Sequence, residues 1–354
     1  MSLDVFRGMT IAAMILVNNP GSWKAVYPPL RHAVWNGWTP TDLIFPFFLF
    51  IAGVSVVFSF AGRKARGESR KYLVLHVLWR GVVLIAIGIL LNMLIHPAWN
   101  GLRFFGVLQR IGLVYIFAAP LTLTTKPRTR FLITAVLLLG YWLLMILVPV
   151  PGIGRNQLTP TGNLASFVDF HLFPGRLWRT TWDPEGLLST LPAIASALLG
   201  TLVGDAFLDS ARSRISSKRI TQLVAAGLVA VVLGELWGFE FPINKNLWTS
   251  SYVLFTGGLA IMLFLACYWT IDVKGWTRWA RAFVFLGTNP LAIYAASDIV
   301  AVKVLPSIKA FAYPRWFAPL GPPAAVSCLW AAGYVALWWI AGWIMYRKAI
   351  FIKL

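Results

Sequence analysis

Acidic side chains, and charged side chains in general, are scarce in this sequence. Its 354 residues include 12 Asp and Glu against 31 Lys and Arg, and 12% of them are charged, whereas 58% are hydrophobic. A soluble domain does not need so much apolar surface, so the composition excludes an ordinary globular protein. Apolar runs such as residues 131–148 and 222–236 are typical of membrane-spanning helices, each of which needs about 20 residues.

Cysteine is almost absent. Cys267 and Cys328 both lie in apolar segments and therefore indicate neither a disulfide framework nor a redox compartment. Neither a CxxC motif nor a His/Cys cluster with metal-ligand spacing occurs, so we expect no metal. Without a soluble domain, a low-complexity tail or a convincing repeat, the sequence predicts one integral domain over residues 1–354.

Polar breaks divide the chain into predicted membrane spans. The prediction is an all-α, polytopic helical bundle of about ten transmembrane helices. Their approximate bounds are 4–20, 39–61, 72–96, 104–124, 131–149, 186–207, 220–239, 248–271, 282–305 and 322–345.

The net charge of +19 could indicate a nucleic-acid partner, but the positions of the basic residues argue against one. Of the 31 basic residues, 19 lie on one set of alternating connectors or at Arg7. Those on the connectors are Arg63, Lys64, Arg66, Arg70, Lys71, Lys126, Arg128, Arg130, Arg212, Arg214, Lys218, Arg219, Lys274, Arg278, Arg281, Arg347, Lys348 and Lys353. By the positive-inside bias both termini are cytoplasmic, and His32, residues 150–185 and residues 242–246 face the outer side.

His32 is the first candidate for a catalyst. It lies in the polar connector between the first two predicted spans, and the chain has four histidines. Neutral imidazole is the usual group for moving a proton near pH 7. His76 and His96, at the ends of the third span, are more typical of satisfied or interfacial histidines, and we expect His171 to be solvated.

Polar residues inside the first span indicate an inward-facing surface. Asp4, Arg7 and Asn18 are spaced by close to whole helical turns and share one face. Asp4 and Arg7 could form a structural ion pair or contact a ligand. Asn18 is harder to explain by stability, because a polar group in hydrocarbon is costly. Asp4 and Arg7 also favour a retained helix over a cleaved secretory signal peptide.

Asp42 has two interpretations that do not exclude each other. The run from Thr39 to Asp42 predicts a helix start, with Thr39 as the cap, Pro40 in the first turn and an acid at the third position. The functional interpretation is that the same carboxylate orients His32 or holds a cationic amine. Asp183 and Pro184 repeat this pattern, and there the structural interpretation is favoured. Glu185, one position further, is the better candidate for contacting a substrate.

Gln109 and Arg110 place polar groups and a permanent cation in an apolar span. A buried arginine needs a partner. An anionic ligand, such as the phosphates of a cofactor, is one possibility. A fixed ion pair with Asp298 or Glu235 is the other.

Five ordered blocks resemble the heparan-α-glucosaminide N-acetyltransferase family in its bacterial branch. They are residues 2–8 (SLDVFRG), residues 17–42 with HAVWNG at 32–37, residues 106–112 (GVLQRIG), residues 183–190 (DPEGLLST) and residues 242–249 (PINKNLWT). The resemblance covers nearly the whole chain. It implies a membrane-bound acetyltransferase that takes acetyl from cytoplasmic acetyl-CoA and delivers it to the amine of a glucosamine-type sugar on the outer side.

The resemblance also implies roles for single residues. His32 matches the family's catalytic histidine, and Asn18 matches an active-site asparagine. With Asp42 orienting the imidazole, these three form the predicted catalytic group. The residues expected to contact acetyl-CoA are Arg7, Gln109, Arg110 and Asn289, and those expected to border the sugar are Glu185, Asn244, Lys245 and Asn246. A homodimer in a bacterial inner membrane is expected.

Several alternatives stay open at this point. His32 could act as a general base or accept the acetyl group itself before transfer. An amino-sugar transporter would also use broken spans such as residues 45–47 and 288–290. An O-acyltransferase acting on a polysaccharide hydroxyl would share the donor and differ in the acceptor.

Overall fold

The computed structural model describes residues 1–95, 102–208 and 215–352. His96, Arg212, Arg214 and Lys353 lie outside these residues. The chain is all-α, as predicted. Its helices are α1 (Ser2–Asn18), α2 (Ile44–Ala65), α3 (Arg70–Ile95), α4 (Val107–Thr124), α5 (Pro127–Leu147), α6 (Leu164–Leu172), α7 (Thr190–Leu208), α8 (Ser217–Trp237), α9 (Ser250–Tyr268), α10 (Arg281–Gly287), α11 (Pro290–Lys303), α12 (Leu305–Ala312) and α13 (Pro323–Arg347). Two 3₁₀ turns, Pro28–Leu30 and Pro40–Leu43, lie between α1 and α2.

Fewer helices than the predicted ten have the full length and apolarity of a membrane span. Within the described ranges eight do, and the helix pair α10 and α11 makes a ninth if it counts as one broken span. The break is the predicted one at residues 288–290, where the two helices meet at 78°, because Pro290 cannot continue a helix begun before it. The first predicted span is α1, whose 17 residues are at the short limit for crossing a bilayer.

The chain divides into two compact units. Unit 1 comprises Met1–Val34, Trp38–Phe45 and Leu263–Leu354, and unit 2 comprises Trp35–Gly37 and Pro46–Met262. Unit 1 contains His32, Asp42 and Asn18, whereas unit 2 contains Arg110, Glu185 and Asn244.

In unit 1, α1 packs against α10, α11 and α13. Glycines allow a close crossing of α1 with α10. A Cβ atom on Gly8 would lie 1.8 Å from the Phe283 carbonyl oxygen, and one on Gly287 would lie 1.9 Å from that of Asp4. Small residues of this kind let helix backbones approach closely in a membrane, where apolar side chains alone do not drive association.

In unit 2, α4 packs against α3, α5 and α7, and α5 also contacts α6 and α7. Helix α7 crosses the unit 2 part of α2 at glycines as well: a Cβ on Gly53 would lie 2.0 Å from the Ala197 carbonyl oxygen. The short helix α6 lies outside the spans, in the long connector between α5 and α7. It brings Asp169 to the turns that precede α7, through a hydrogen bond described below.

Candidate active site

The connector between α1 and α2 is held together by its own hydrogen bonds. Arg31 Nε donates to the Val26 carbonyl at 2.9 Å, and Thr41 Oγ1 donates to the Pro29 carbonyl at 3.0 Å. Thr39 Oγ1 donates to the Arg31 carbonyl at 2.6 Å. These cross-links join the two 3₁₀ turns on either side of His32, so the histidine lies on an ordered loop.

Asp42 is the centre of this loop. The predicted cap is confirmed: Thr39 and Asp42 form a capping box, with Pro40 in the first turn. Asp42 Oδ2 accepts the backbone N–H groups of Ala33 and Thr39, each at 3.0 Å. Because its side chain is only 1% exposed, these donors fix the carboxylate in one orientation.

The second oxygen of Asp42 contacts His32. His32 Nδ1 lies 2.6 Å from Asp42 Oδ1, and the imidazole is 46% exposed. A carboxylate in this position accepts a hydrogen bond from Nδ1–H, so the proton stays on Nδ1 and Nε2 carries the lone pair. The loop therefore holds an imidazole whose orientation and tautomer are set by a buried acid.

Asn18 is the last residue of α1 and is exposed. Helix α1 contacts the Pro40–Leu43 turn, so this helix and the turn that contains Asp42 pack together in unit 1. The next residue, Asn19, donates to the Ile15 carbonyl at 2.8 Å and ends the helix. An exposed amide at a helix end is available to a ligand.

Arg7 and Asn289, two of the predicted acetyl-CoA contacts, bond to the protein itself. Arg7 Nη1 donates to the Gly287 carbonyl at 3.1 Å and lies 3.5 Å from Asp4. The Asn289 amide donates to the Ile350 carbonyl at 2.9 Å and accepts the Ile352 N–H at 2.7 Å. Both residues thus stabilise the break between α10 and α11.

Unit 2 contains a cluster of buried charges that sequence reasoning missed in part. Arg103 binds Asp183 through two nitrogens, at 2.6 and 2.7 Å, and also binds Glu185. Its guanidinium lies over the Trp178 ring, 4.9 Å from the centroid. Burial disfavours the charge of Arg103, but the carboxylates of Glu185 and Asp183 outweigh this and raise its pKa above the ordinary value. Glu185, a predicted sugar contact, is therefore held by an ion pair.

Arg110 is 1% exposed and donates hydrogen bonds to neutral groups. One of its nitrogens, Nη2, donates to the Gly186 carbonyl at 2.9 Å and to Ser189 Oγ, and the guanidinium stacks on Trp248, 5.0 Å from the ring centroid. The sequence offers two acidic candidates for the partner of Arg110. Of these, Glu235 is exposed on α8, and Asp298 belongs to unit 1. Among the described atoms, Nε and Nη1 of Arg110 and Nε2 of Gln109 are buried donors with no acceptor. Such donors suit the carbonyl or phosphate oxygens of a ligand.

Asp169 is the second residue of this cluster that sequence reasoning missed. Its Oδ1 accepts the Leu187 N–H at 2.8 Å, and Gly186 has no space for a side chain because a Cβ would lie 1.7 Å from Asp169 Oδ2. Burial raises the pKa of Asp169 to about 7; the Leu187 N–H and Arg110 oppose the shift, and Asp183 adds to it. This acid on α6 therefore holds the turns that Arg110 contacts.

Asn244 joins two segments of unit 2. Its amide donates to Asn36 Oδ1 at 3.0 Å and accepts the Leu247 N–H at 3.0 Å, and the Gly37 N–H donates to the Ile243 carbonyl at 2.8 Å. Asn244 is fully buried, whereas Lys245 and Asn246 are partly exposed. Of the three predicted sugar contacts in this segment, Lys245 and Asn246 therefore have the surface to meet a ligand.

The remaining histidines behave as expected where the structure describes them. His76 lies 2.8 Å from Arg63 Nη2, and His171 is exposed and bonds the Phe167 carbonyl. Within the described ranges no group of three His, Cys, Asp or Glu residues could hold a metal ion.

Comparisons with known proteins agree with the resemblance. The family model described as heparan-α-glucosaminide N-acetyltransferase, catalytic, matches residues 1–236. The human protein named heparan-α-glucosaminide N-acetyltransferase is 32% identical over 409 residues, which cover 100% of this chain and 59% of the human protein. The mouse protein of the same name is 30% identical over 406 residues, which cover 99% of this chain and 60% of the mouse protein. The chain thus spans about three fifths of the length of these relatives.

The family match begins at the first residue, continues into α8, and includes His32, Asp42, Arg103, Arg110 and Glu185. It covers two thirds of the 354 residues. On this evidence the chain belongs to the heparan-α-glucosaminide N-acetyltransferase family.

Proposed function

We propose that this chain is a transmembrane acetyltransferase that moves acetyl from cytoplasmic acetyl-CoA to the amine of a glucosamine-type sugar on the outer side of a bacterial inner membrane. The observation that carries the proposal is the contact of His32 with Asp42 on an ordered, half-exposed loop. An imidazole oriented by a buried carboxylate is a suitable general base for an amine nucleophile. The activity in the relatives' names, N-acetyl transfer to a glucosaminide, agrees with this chemistry.

In the proposed reaction the sugar amine attacks the thioester carbonyl carbon. A C–N bond forms, the C–S bond breaks, and His32 Nε2 takes the proton that the amine loses. His32 then returns the proton to the sulfur, so that the products are the N-acetyl sugar and CoA thiol. The Asn18 amide donates a hydrogen bond to the carbonyl oxygen as negative charge develops on it. Asp42 stabilises the imidazolium that exists between the two proton transfers.

Other side chains have separate supporting roles in the proposal. Gln109 and Arg110 have buried donors without acceptors, which suit oxygens of the acetyl-CoA arm. Lys245 and Asn246 are the accessible contacts for the acceptor. Asn244 orders their segment through its bonds to Asn36 and Leu247, and Glu185 is held by Arg103. Arg7 and Asn289 bond to the segments at the helix break, and their contact with acetyl-CoA stays a prediction.

The test is CoA release from acetyl-CoA by the purified protein in detergent, with and without glucosamine. We expect glucosamine to stimulate release, and His32→Ala to lower the rate by about 10²- to 10⁴-fold. His171→Ala is the matched control, because that histidine is exposed on α6. A burst of CoA without acceptor would favour an acetyl-histidine intermediate. Folded protein that releases no CoA but accumulates amino sugar in vesicles would replace this proposal with transport.

A further inference from the structure

A narrow, mainly apolar cleft lies at the end of α1 within unit 1, with room for one group about the size of a water molecule. Its walls come from the last turn of α1, the connector that follows and the first turns of α13. The residues that define it best are Leu16, Val17, Val26, Leu30, Ala324 and Cys328. The polar side chains on its walls are Tyr27, Ser327 and Cys328.

The cleft is next to the proposed catalytic residues along the chain. Asn18 follows the wall residue Val17, and His32 is two positions after the wall residue Leu30. Two residues of extended chain span at most about 7 Å. The same cross-linked loop contains the wall residue Val26 and the imidazole of His32. Arg31 bonds to the Val26 carbonyl, and the neighbouring His32 contacts Asp42.

Further hydrogen bonds fix the opposite wall. The Ser22 N–H donates to Ser327 Oγ at 2.9 Å, and Ser327 Oγ is 3.2 Å from the Ser22 carbonyl. Lys309 Nζ donates to the Pro20 carbonyl at 2.8 Å. The connector is thus tied to α12 and α13, and the width of the cleft is set by bonded segments.

We propose that this cleft receives the hydrocarbon end of the acyl group and limits the length of the acyl chain. The inference rests on the proposed function, because it assigns a subsite to the same reaction. An amino sugar would leave most of its hydroxyl groups unpaired against these mainly apolar walls, which costs free energy. The methyl end of a thioester acyl group has no such groups and gains from leaving water.

Paired variants test the proposal through the choice of donor. Leu16→Ala enlarges the cleft, and Leu329→Ala removes an equal volume from an exposed position on α13. Ala324→Leu fills the cleft, and Ala332→Leu adds the same volume at an exposed position. The measurement is kcat/KM for acetyl-, propionyl- and butyryl-CoA with glucosamine as acceptor.

A hydrophobic pocket discriminates by about 10- to 200-fold per methylene. We therefore expect Leu16→Ala to raise the butyryl-to-acetyl ratio of kcat/KM by about 10-fold or more. Ala324→Leu is expected to lower the propionyl-to-acetyl ratio, while the two control variants leave both ratios as in the wild type. Active cleft variants with unchanged ratios would overturn the inference and leave the proposed function intact.

The two cysteines provide a second measurement that needs neither a variant nor turnover. Cys328 lines the cleft and is partly exposed, whereas Cys267 is 2% exposed and serves as the internal reference. We expect acetyl-CoA to slow alkylation of Cys328 by N-ethylmaleimide several-fold more than CoA does, as followed by mass spectrometry. Equal protection by CoA and acetyl-CoA, or none by either, would count against an acyl subsite. Protection of Cys328 by acetyl-CoA in a protein that transfers no acetyl group would contradict the proposed function but not the acyl subsite.

Discussion

Among single residues, Asp42 offers the sharpest test of the proposed chemistry. Asp42→Asn keeps an oxygen for the Ala33 and Thr39 N–H groups but loses the charge that stabilises an imidazolium. We expect kcat to fall by about 10²- to 10⁴-fold with little change in the unfolding midpoint.

Asp4→Asn is the control for Asp42→Asn, because Asp4 forms a partly exposed pair with Arg7 that contributes little to stability. It should leave kcat near the wild-type value. A fully active Asp42→Asn protein would remove Asp42 from the mechanism.

Asp169 predicts a pH dependence of stability. Burial raises its pKa to about 7 in the folded protein, above the ordinary value of 3.8. Between these values the folded state keeps a proton that the unfolded state has lost, so the free energy of unfolding decreases as pH rises. The carboxylate then faces Asp183, which disfavours its charge, as well as Arg110 and the Leu187 N–H, which favour it.

Asp169→Asn should therefore gain stability relative to the wild type as pH rises from about 4 to 7. The measurement is the unfolding midpoint at each pH, and the exposed Glu240→Gln provides the control. A difference between Asp169→Asn and the wild type that stays constant with pH would contradict the raised pKa.

The sequence indicated part of the charge cluster, and the rest was missed for a physical reason. Arg110 and Glu185 were evident because charges in apolar or capping contexts stand out along the chain. Arg103 and Asp169 lie in polar connectors, where charge is ordinary, and their importance comes from contacts with Asp183 and Leu187. Partners 80 and 18 residues apart are not apparent from local patterns.

At the scale of helices, the close crossing of α1 with α10 predicts that the effect of a glycine-to-alanine substitution on stability depends strongly on its position. Gly8→Ala would place a Cβ 1.8 Å from the Phe283 carbonyl oxygen, so one backbone must move. We expect a loss of about 1–3 kcal/mol in the free energy of unfolding.

Gly333→Ala on α13 meets nothing within 4 Å and is the matched control. It should be neutral or slightly stabilising, since alanine favours helix. Equal unfolding midpoints for Gly8→Ala and Gly333→Ala would show that the two helices do not approach so closely.

Helix ends could be predicted where a local signal sets them, and less well where contacts do. The capping box at Thr39 and the break at Pro290 follow from residue type. Helix α7 begins at Thr190, four residues after its predicted start, because Gly186 and Leu187 are held in turns by Arg110 and Asp169. These contacts stabilise a non-helical conformation that the apolar run of the sequence does not reveal.

For the whole molecule, the distribution of basic residues predicts one orientation in the membrane. The test introduces one cysteine at a time into a protein that carries Cys267→Ala and Cys328→Ala. Lys64→Cys samples the predicted inner side, and Arg155→Cys samples the predicted outer side. Both positions are exposed. In intact cells a membrane-impermeant maleimide should label Arg155→Cys at once and Lys64→Cys only after permeabilisation. The reverse pattern would invert the predicted topology and place His32 in the cytoplasm.

The bonds of Asn289 have a consequence for biosynthesis. Its amide is bonded to Ile350 and Ile352, about 60 residues further along the chain. A ribosome delivers a chain from the amino terminus at about 5–20 residues per second. The kinked span therefore enters the translocation machinery seconds before the residues that satisfy its amide are synthesised. During that interval an insertase or a neighbouring helix has to shield this polar group from lipid.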